Sequence, residues 1–168
     1  MTTTGTTIRR ATPDDAEAIW VVHRSSILNL GRAYYSAEEV ESWAHGLTPD
    51  GYAKAMTEGG ETMEIAVAAD GRTVAFCSWR DDEVLAVYVH PDGARQGIAT
   101  RLLARAEAAI AENGHGRIRI SASLAGRGFY EKRGYRVVAR ADWQTRGGLV
   151  VETFDMVKDL DGPPAARV

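Results

Sequence analysis

The spacing of apolar positions changes several times along the chain, and each change marks an element. "TTIRRA" near the start alternates briefly and predicts a strand. Thr12-Pro13-Asp14-Asp15 then supplies an N-cap, a proline suited to the first helical position and acids for the first turn. The spacing predicts a helix from there to about Leu30, with Ala16, Ile19, Trp20, His23 and Ile27 along one side. Ser36-Ala37-Glu38-Glu39 has capping-box spacing and predicts a second, short helix holding Val40 and Trp43. A third helical segment follows Pro49.

"TMEIAVAA" and "RTVAFCSW" flank Asp70-Gly71 and predict a hairpin with a tight turn. Asp81-Asp82 makes a further turn, and "EVLAVYV" extends the meander until Pro91. Helical periodicity returns from about Gly97 to Asn113, with Ile98, Leu102, Leu103, Ala106 and Ile110 on one face and Gly114 as its stop. "RIRISAS" is the next strand, "AGRGFYEKR" a short helix ended by Gly134, and "YRVVARADW" and "LVVETFDMV" a final pair of strands. The strand "EVLAVYV", its crossover helix and "RIRISAS" form one right-handed unit with parallel strands, while all other connections are hairpins. The expected fold class is therefore α+β, a mixed, mostly antiparallel sheet flanked by helices.

Composition narrows the picture little. The 168 residues are expected to form one domain over 1–168, with a core at about 8–158 and frayed ends at "MTTTGTT" and "DGPPAARV". Apolar residues make up 45% and charged residues 26%, the ordinary balance of a globular protein. A net charge of −3 gives no global field for nucleic acid, so none is expected as a partner. No apolar run approaches membrane-spanning length and the N-terminus has no signal-like apolar stretch; a cytoplasmic protein without membrane attachment is expected. Cys77, the single cysteine, lies in "VAFCSW" and reads as a buried structural thiol. No His/Cys/Asp cluster has metal-ligand spacing, so no metal site is expected.

Charge position is more informative than net charge. Residues 95–136 contain nine basic residues (Arg95, Arg101, Arg105, Arg117, Arg119, Arg127, Lys132, Arg133 and Arg136) against three acids. Residues 1–60 contain five basic and eight acidic residues. The basic stretch includes "ARQGIATRLL", where Gly97 and Ala99 leave side-chain bulk off a strand-to-helix connection. Unpaired backbone N–H groups and a positive dipole at such a helix start suit an anion, and Arg95 adds fixed charge. The same residues also serve as a plain, uncrowded helix start, and the charges as a solvated face.

Two longer segments carry a resemblance. "LAVYVHPDGARQGIATRLLARAE" and "SASLAGRGFYEKRGYRVV" resemble the acetyl-CoA signature of the GNAT N-acetyltransferase superfamily. The matching pieces are Val89 to Pro91, the loop Ala94 to Ala99, Leu102-Leu103, and Phe129-Tyr130 with Gly134-Tyr135. The resemblance implies acetyl-CoA as co-substrate and a parallel strand pair, "EVLAVYV" and "RIRISAS", splayed to seat the pantetheine arm. On that reading the backbone of Val87 and Val89 pairs with the pantetheine amides. Main-chain N–H groups of Arg95, Gln96, Gly97, Ile98, Ala99 and Thr100 hold the pyrophosphate. Two positions depart from the pattern: Ala94 stands where an Arg or Gln is usual, and Ser123 where an Asn is frequent.

For the chemistry, the resemblance implies that Tyr130 is the general acid for the departing thiolate. A tyrosine there also serves as a core residue, and the motif around it favours the chemical role. Glu83, at the start of "EVLAVYV", stands where some superfamily members carry a base; strict alternation puts it on the face of Leu85, Val87 and Val89. An exposed strand-edge acid is the competing reading. Glu64, His23 and His90 are weaker candidates, and His23 on its apolar helix face reads first as a partly buried histidine. Tyr34, Tyr35, Trp43, Trp143 and Arg146 are expected walls of an acceptor pocket between the N-terminal helices and the final hairpin. The acidic N-terminal half favours a cationic amine. The expected acceptor is a small-molecule or peptide amine, and the expected state a monomer or homodimer. A non-catalytic acyl-CoA-binding regulatory module and an RNA-directed acyltransferase are the alternatives.

Overall fold

The computed structural model describes residues 5–161. The first four residues and residues 162–168, which belong to the expected frayed ends, lie outside that range.

Seven strands make one sheet: β1 (Thr7–Arg10), β2 (Thr62–Val67), β3 (Thr73–Arg80), β4 (Glu83–Val89), β5 (Arg117–Ser123), β6 (Arg136–Gln144) and β7 (Val150–Asp159). Their spatial order is β1-β2-β3-β4-β5-β7-β6, and every neighbouring pair is antiparallel except β4–β5. This is the mixed α+β sheet the hydrophobic pattern predicts. Helices α1 (Ala16–Leu30), α2 (Ala37–Ala44) and α3 (Pro49–Thr57) lie on one face; α4 (Ile98–Glu112) and the short α5 (Arg127–Glu131) cover the other.

The helix starts form by the local chemistry read from the chain. A 3₁₀ turn, Pro13–Asp15, precedes α1, and the Asp15 carboxylate accepts from the Thr12 N–H at 2.9 Å. At α2 the Ser36 hydroxyl accepts from the Glu39 N–H (3.1 Å) while Glu39 accepts from the Ser36 N–H (2.8 Å). Helix α4 buries Ile98, Leu102, Leu103, Ala106 and Ile110, its whole predicted face, against β3, β4 and β5. On α1 the buried stripe also takes in Val22. Cys77 is fully buried beneath α4, and burial pushes its thiol up, so it stays neutral.

The two halves of the sheet are joined across the front by Tyr35. Its buried hydroxyl accepts from the Leu124 N–H (2.8 Å) beyond β5 and donates to the Glu152 carbonyl (3.0 Å) in β7. The expectation of Tyr35 as a pocket wall is corrected: it is an anchor, and its neighbour Tyr34 is 57% exposed. Replacing Tyr35 by Phe strands a buried N–H and a carbonyl. Urea denaturation of Tyr35→Phe is expected to show a loss of about 1–3 kcal/mol with an unchanged m-value.

Candidate active site

The parallel pair is short-lived. β4 and β5 are in register only at Glu83↔Arg119 and Val84↔Ile120, after which they separate. β4 continues to pair with β3, and β5 with β7, so each keeps one satisfied edge. The His90 N–H, just past β4, donates to the Val74 carbonyl on the β3 side (2.7 Å). Strand N–H groups alternate in direction, so those of Val87 and Val89 point to the other edge, into the opening.

A β-bulge decides which side chains face that opening. Ser78 pairs with Ala86 and Trp79 with Val84, leaving Leu85 as the extra residue. Val84, Val87 and Val89 consequently turn toward α4, while Leu85, Ala86 and Tyr88 turn toward α1 and α3. The expected face for Glu83 is thereby corrected: it shares its side with Leu85 but lies opposite Val87 and Val89. One inserted residue shifts the alternation, and nothing in "EVLAVYV" announces it.

Two cavities adjoin the bulge on the α1 side. The larger, about 370 Å³, is bounded by Glu83, Leu85 and Tyr88 of β4, Ser121 and Ser123 of β5, Thr153, Trp43, Trp143, Arg146 and His23. The smaller, about 230 Å³, lies toward α3 among Tyr52, Glu61, Met63, Phe76 and Ser78. His23, Leu85 and Arg146 border both. Trp43 and Trp143 meet edge to face, with centroids 5.6 Å apart. Thus, of the expected wall residues, Trp43, Trp143 and Arg146 line this cavity. Tyr88, Ser121, Thr153 and Glu61 carry no motif that marks them in the sequence, because only the strand register brings them together.

Among the candidate carboxylates, Glu83 is half-buried, with Arg119 Nη2 at 3.6 Å; Arg119 also grips Asp82 with two bonds of 2.9 and 3.0 Å. Glu64 lies elsewhere, buried in a two-bond pair with Arg105 of α4 (2.5 and 2.8 Å). His90 caps the turn Pro91–Gly93 by accepting from the Asp92 N–H at 3.1 Å. His23 is the unusual one. Its Nδ1 is 2.8 Å from the Tyr52 hydroxyl, its ring stands 4.1 Å from that of Tyr88, and its Nε2 is buried with no partner among the described residues. Burial, helped by the charge of Arg146, lowers its pKa to about 3, so the ring is neutral at ordinary pH. Burial likewise pushes Tyr52 to about 12. Burial of the Glu61 carboxyl pushes it upward against the opposing pull of Ser78 and Arg80.

Tyr130 occupies the opposite face of the sheet, in the α4 cluster, with its ring 5.1 Å from Phe129 and 5.6 Å from Tyr135. Burial raises its pKa, with lesser contributions from Cys77 and Tyr88, so it holds its proton. Its hydroxyl makes no hydrogen bond within the described residues. Glu83 and Tyr130 thus flank the splay from opposite sides. Ser123, at the end of β5, accepts from the Gly126 N–H at 3.1 Å and borders the larger cavity.

The loop before α4 contains two left-handed residues, Arg95 (φ 64°) and Gly97 (φ 72°). Gly97 is the N-cap of α4 and offers no side chain to its free N–H groups; a Cβ built there meets nothing within 4 Å. The first helix-closing bond is from the Arg101 N–H to the Gly97 carbonyl (3.2 Å), so the N–H groups of Ile98, Ala99 and Thr100 have no backbone acceptor among the described residues. The basic stretch around this loop is less free than its charge suggests. Arg105, Arg117, Arg119, Arg127 and Arg136 are all in ion pairs. Arg133 spans from the Phe129 carbonyl to the Thr100 hydroxyl and so ties α5 to the first turn of α4. Among the described residues, no helix is long and apolar enough to cross a membrane, and no group of three His, Cys, Asp or Glu side chains is placed to hold a metal ion.

Comparison with known proteins follows the same outline. A family model described as an acetyltransferase (GNAT) domain matches residues 32–160. The structure is similar to the GCN5-related N-acetyltransferase (aminotransferase, class-II) from Rhodopseudomonas palustris, at 28% identity and a TM-score of 0.85, covering 95% of this chain and 99% of that one. It is also similar to PaiA N-acetyltransferase from Thermoplasma acidophilum in complex with coenzyme A (23%, TM-score 0.72, covering 92% and 99%). A third is yncA from Salmonella typhimurium with its cofactor acetyl-CoA (20%, TM-score 0.70, covering 98% and 99%). The last two establish likeness of fold. A search of curated protein sequences finds no match.

The buried His23 gives a signature in pH. Its folded pKa lies below the unfolded value of about 6.5, so the unfolded chain takes up the extra proton as pH falls. The stability it contributes is complete above about pH 6.5 and declines as pH drops toward 3. Urea unfolding across that window is expected to show a shallower fall for His23→Gln than for the unaltered chain, by up to about 1.4 kcal/mol per pH unit. Parallel curves would mean that the imidazole is not held neutral.

Proposed function

Because this chain belongs to the GNAT acetyltransferase family, we propose that its cleft moves an acetyl group from acetyl-CoA to the nitrogen of a primary amine by direct attack. One observation carries this reading: the splay of β4 from β5 leaves a bare strand edge in line with the uncapped start of α4. A thread of amides ending in a pyrophosphate matches that pair of features. The N–H groups of Val87 and Val89 receive the pantetheine amides as an added strand would. The N–H groups of Arg95, Gln96, Gly97, Ile98, Ala99 and Thr100 surround the pyrophosphate, and Ser123 contributes a hydroxyl at the end of β5. Acetyl-CoA supplies the activated carbonyl and the thiolate leaving group.

The residues then divide the proton transfers across the sheet. Tyr130, held protonated by its burial, donates to the departing sulfur as negative charge develops there. On the other face Glu83, directly or through a water, takes the proton of the incoming amine. The bulge supports this division, since it turns Glu83 and Leu85 toward the cavities while Val87 and Val89 stay with α4. The chain acts as a cytoplasmic, single-domain protein on this reading.

Gly97→Val puts a branched side chain into the cradle. Calorimetry is expected to show acetyl-CoA binding weakened at least tenfold, or about 1.4 kcal/mol. Gly114→Val carries a similar left-handed strain (φ 90°) at the far end of α4 and is expected to leave that affinity unchanged. Equal effects from both variants would remove the cradle.

Tyr130→Phe keeps the ring and removes the O–H. It is expected to lower kcat by about 10- to 100-fold with acetyl-CoA affinity preserved. Glu83→Gln is expected to lose most activity at low pH and recover part of it at high pH, where more amine is already neutral. A Glu83→Gln rate profile parallel to that of the unaltered enzyme would discard Glu83 as the base.

A further inference from the structure

The walls of the two cavities are mostly neutral, with five aromatic rings among them, and one arginine lines both. Arg146 lies in the loop between β6 and β7, and that loop is fastened to α2. The Gly147 N–H donates to the Ser42 carbonyl (3.1 Å), the Ser42 and Thr145 hydroxyls are 2.5 Å apart, and the Leu149 N–H donates to Thr145 Oγ1 (3.1 Å). Thr145 is 4% exposed, and a Cβ on Gly147 would collide with the Ser42 hydroxyl and backbone. The close fit leaves the loop one seat. From it the stem of Arg146 crosses Gly46, where a Cβ would sit 3.5 Å from Arg146 Cδ.

The guanidinium so placed has no carboxylate partner and no hydrogen bond among the described residues. It lines both cavities, sharing the smaller with Tyr52, the larger with Tyr88, and both with His23. The acids nearby do not neutralise it. Glu83 sits beside Arg119, and Glu61 lies at the rim of the smaller cavity near Arg80. His23 supplies a second, independent sign of a missing partner, since its buried Nε2 is unsatisfied. When the Tyr52 O–H donates to Nδ1, the neutral ring carries its proton on Nε2 and acts as a donor. A guanidinium fork and a neutral N–H donor form a set that recognises an oxyanion, with the two-bond geometry that favours arginine over lysine.

We propose that the acceptor is a small amine that also bears an oxyanion, such as the carboxylate of an amino acid, with Arg146 binding that group and His23 Nε2 adding a second contact. The proposal rests on the acetyl-transfer reading of this cleft. It replaces the expectation of a cationic amine drawn from the acidic N-terminal half, because none of the acids of residues 1–60 lines either cavity. Leu85 borders both cavities, so an amine anchored on Arg146 lies beside the opened strand where transfer takes place.

A panel of paired compounds tests this without the natural acceptor being identified. Amino acids, their amides and the corresponding decarboxylated amines are titrated into the protein with CoA present, with heat of binding as the readout. The same compounds are scored for thiol release from acetyl-CoA. The acids are expected to bind at least tenfold more tightly than their amides, and Arg146→Gln is expected to erase that preference while leaving acetyl-CoA affinity unchanged. Equal affinity for acid and amide, no measurable binding of any acid, or a preference that survives Arg146→Gln would overturn the proposal. Preferential binding without thiol release upholds the oxyanion site and defeats acetyl transfer. Thiol release without preference upholds transfer and defeats the oxyanion site.

Discussion

The architecture turns on a parallel strand pair that is allowed to fail. A β-strand inside a sheet normally satisfies both edges, and an unpaired buried edge is costly. Here β4 and β5 share only two residue pairs before they diverge. Each is kept in place by its other neighbour, β4 by β3 and β5 by β7, and the two halves are bridged again by Tyr35. The sheet can therefore leave one edge of β4 bare without coming apart. The larger cavity, the uncapped start of α4, Tyr130 and Glu83 all lie around that gap.

The gap also separates two chemical environments. On the α4 side, Tyr130 lies in an apolar cluster beneath the strand, where burial keeps its hydroxyl protonated. On the α1 side, the bulge at Leu85 opens the surface toward two cavities lined by His23, Tyr88 and Arg146. The Tyr130 hydroxyl and the Glu83 carboxylate thus stand on opposite faces of the split sheet, one in an apolar cluster and the other at a cavity wall.

Electrostatics in the basic segment illustrates how charge counts mislead. The excess between residues 95 and 136 points toward an anion, yet most of those arginines are consumed in pairs such as Arg105–Glu64 and Arg117–Asp159. Besides Arg95 and Lys132, which have no ion pair among the described residues, what remains for an anion is the first turn of α4, whose N–H groups receive no side-chain cap from Gly97. Arg146, far along the chain, lines both cavities and has no ion pair among the described residues, its loop held by Ser42, Thr145 and the absence of a side chain at Gly147.

The sequence by itself determined what depends on neighbours in the chain. Capping at Thr12 and Ser36, the apolar face of α4 and the hairpin at Asp70-Gly71 are all local decisions, and the short β-rich runs between turn residues predict the strands that form. The loop at 94–99 and the Phe129-Tyr130 motif were legible because they too are continuous. Tertiary structure alone decided the face of Glu83, since one bulge residue reverses an alternation that the letters of "EVLAVYV" do not interrupt. It alone made Tyr35 an anchor, because its two partners lie 89 and 117 residues away. It alone left His23 Nε2 without a partner and Arg146 without a carboxylate among the described residues. Pairing and burial are relations between distant segments, and a linear pattern records which segments will form but not which of their polar atoms the packing will leave unsatisfied.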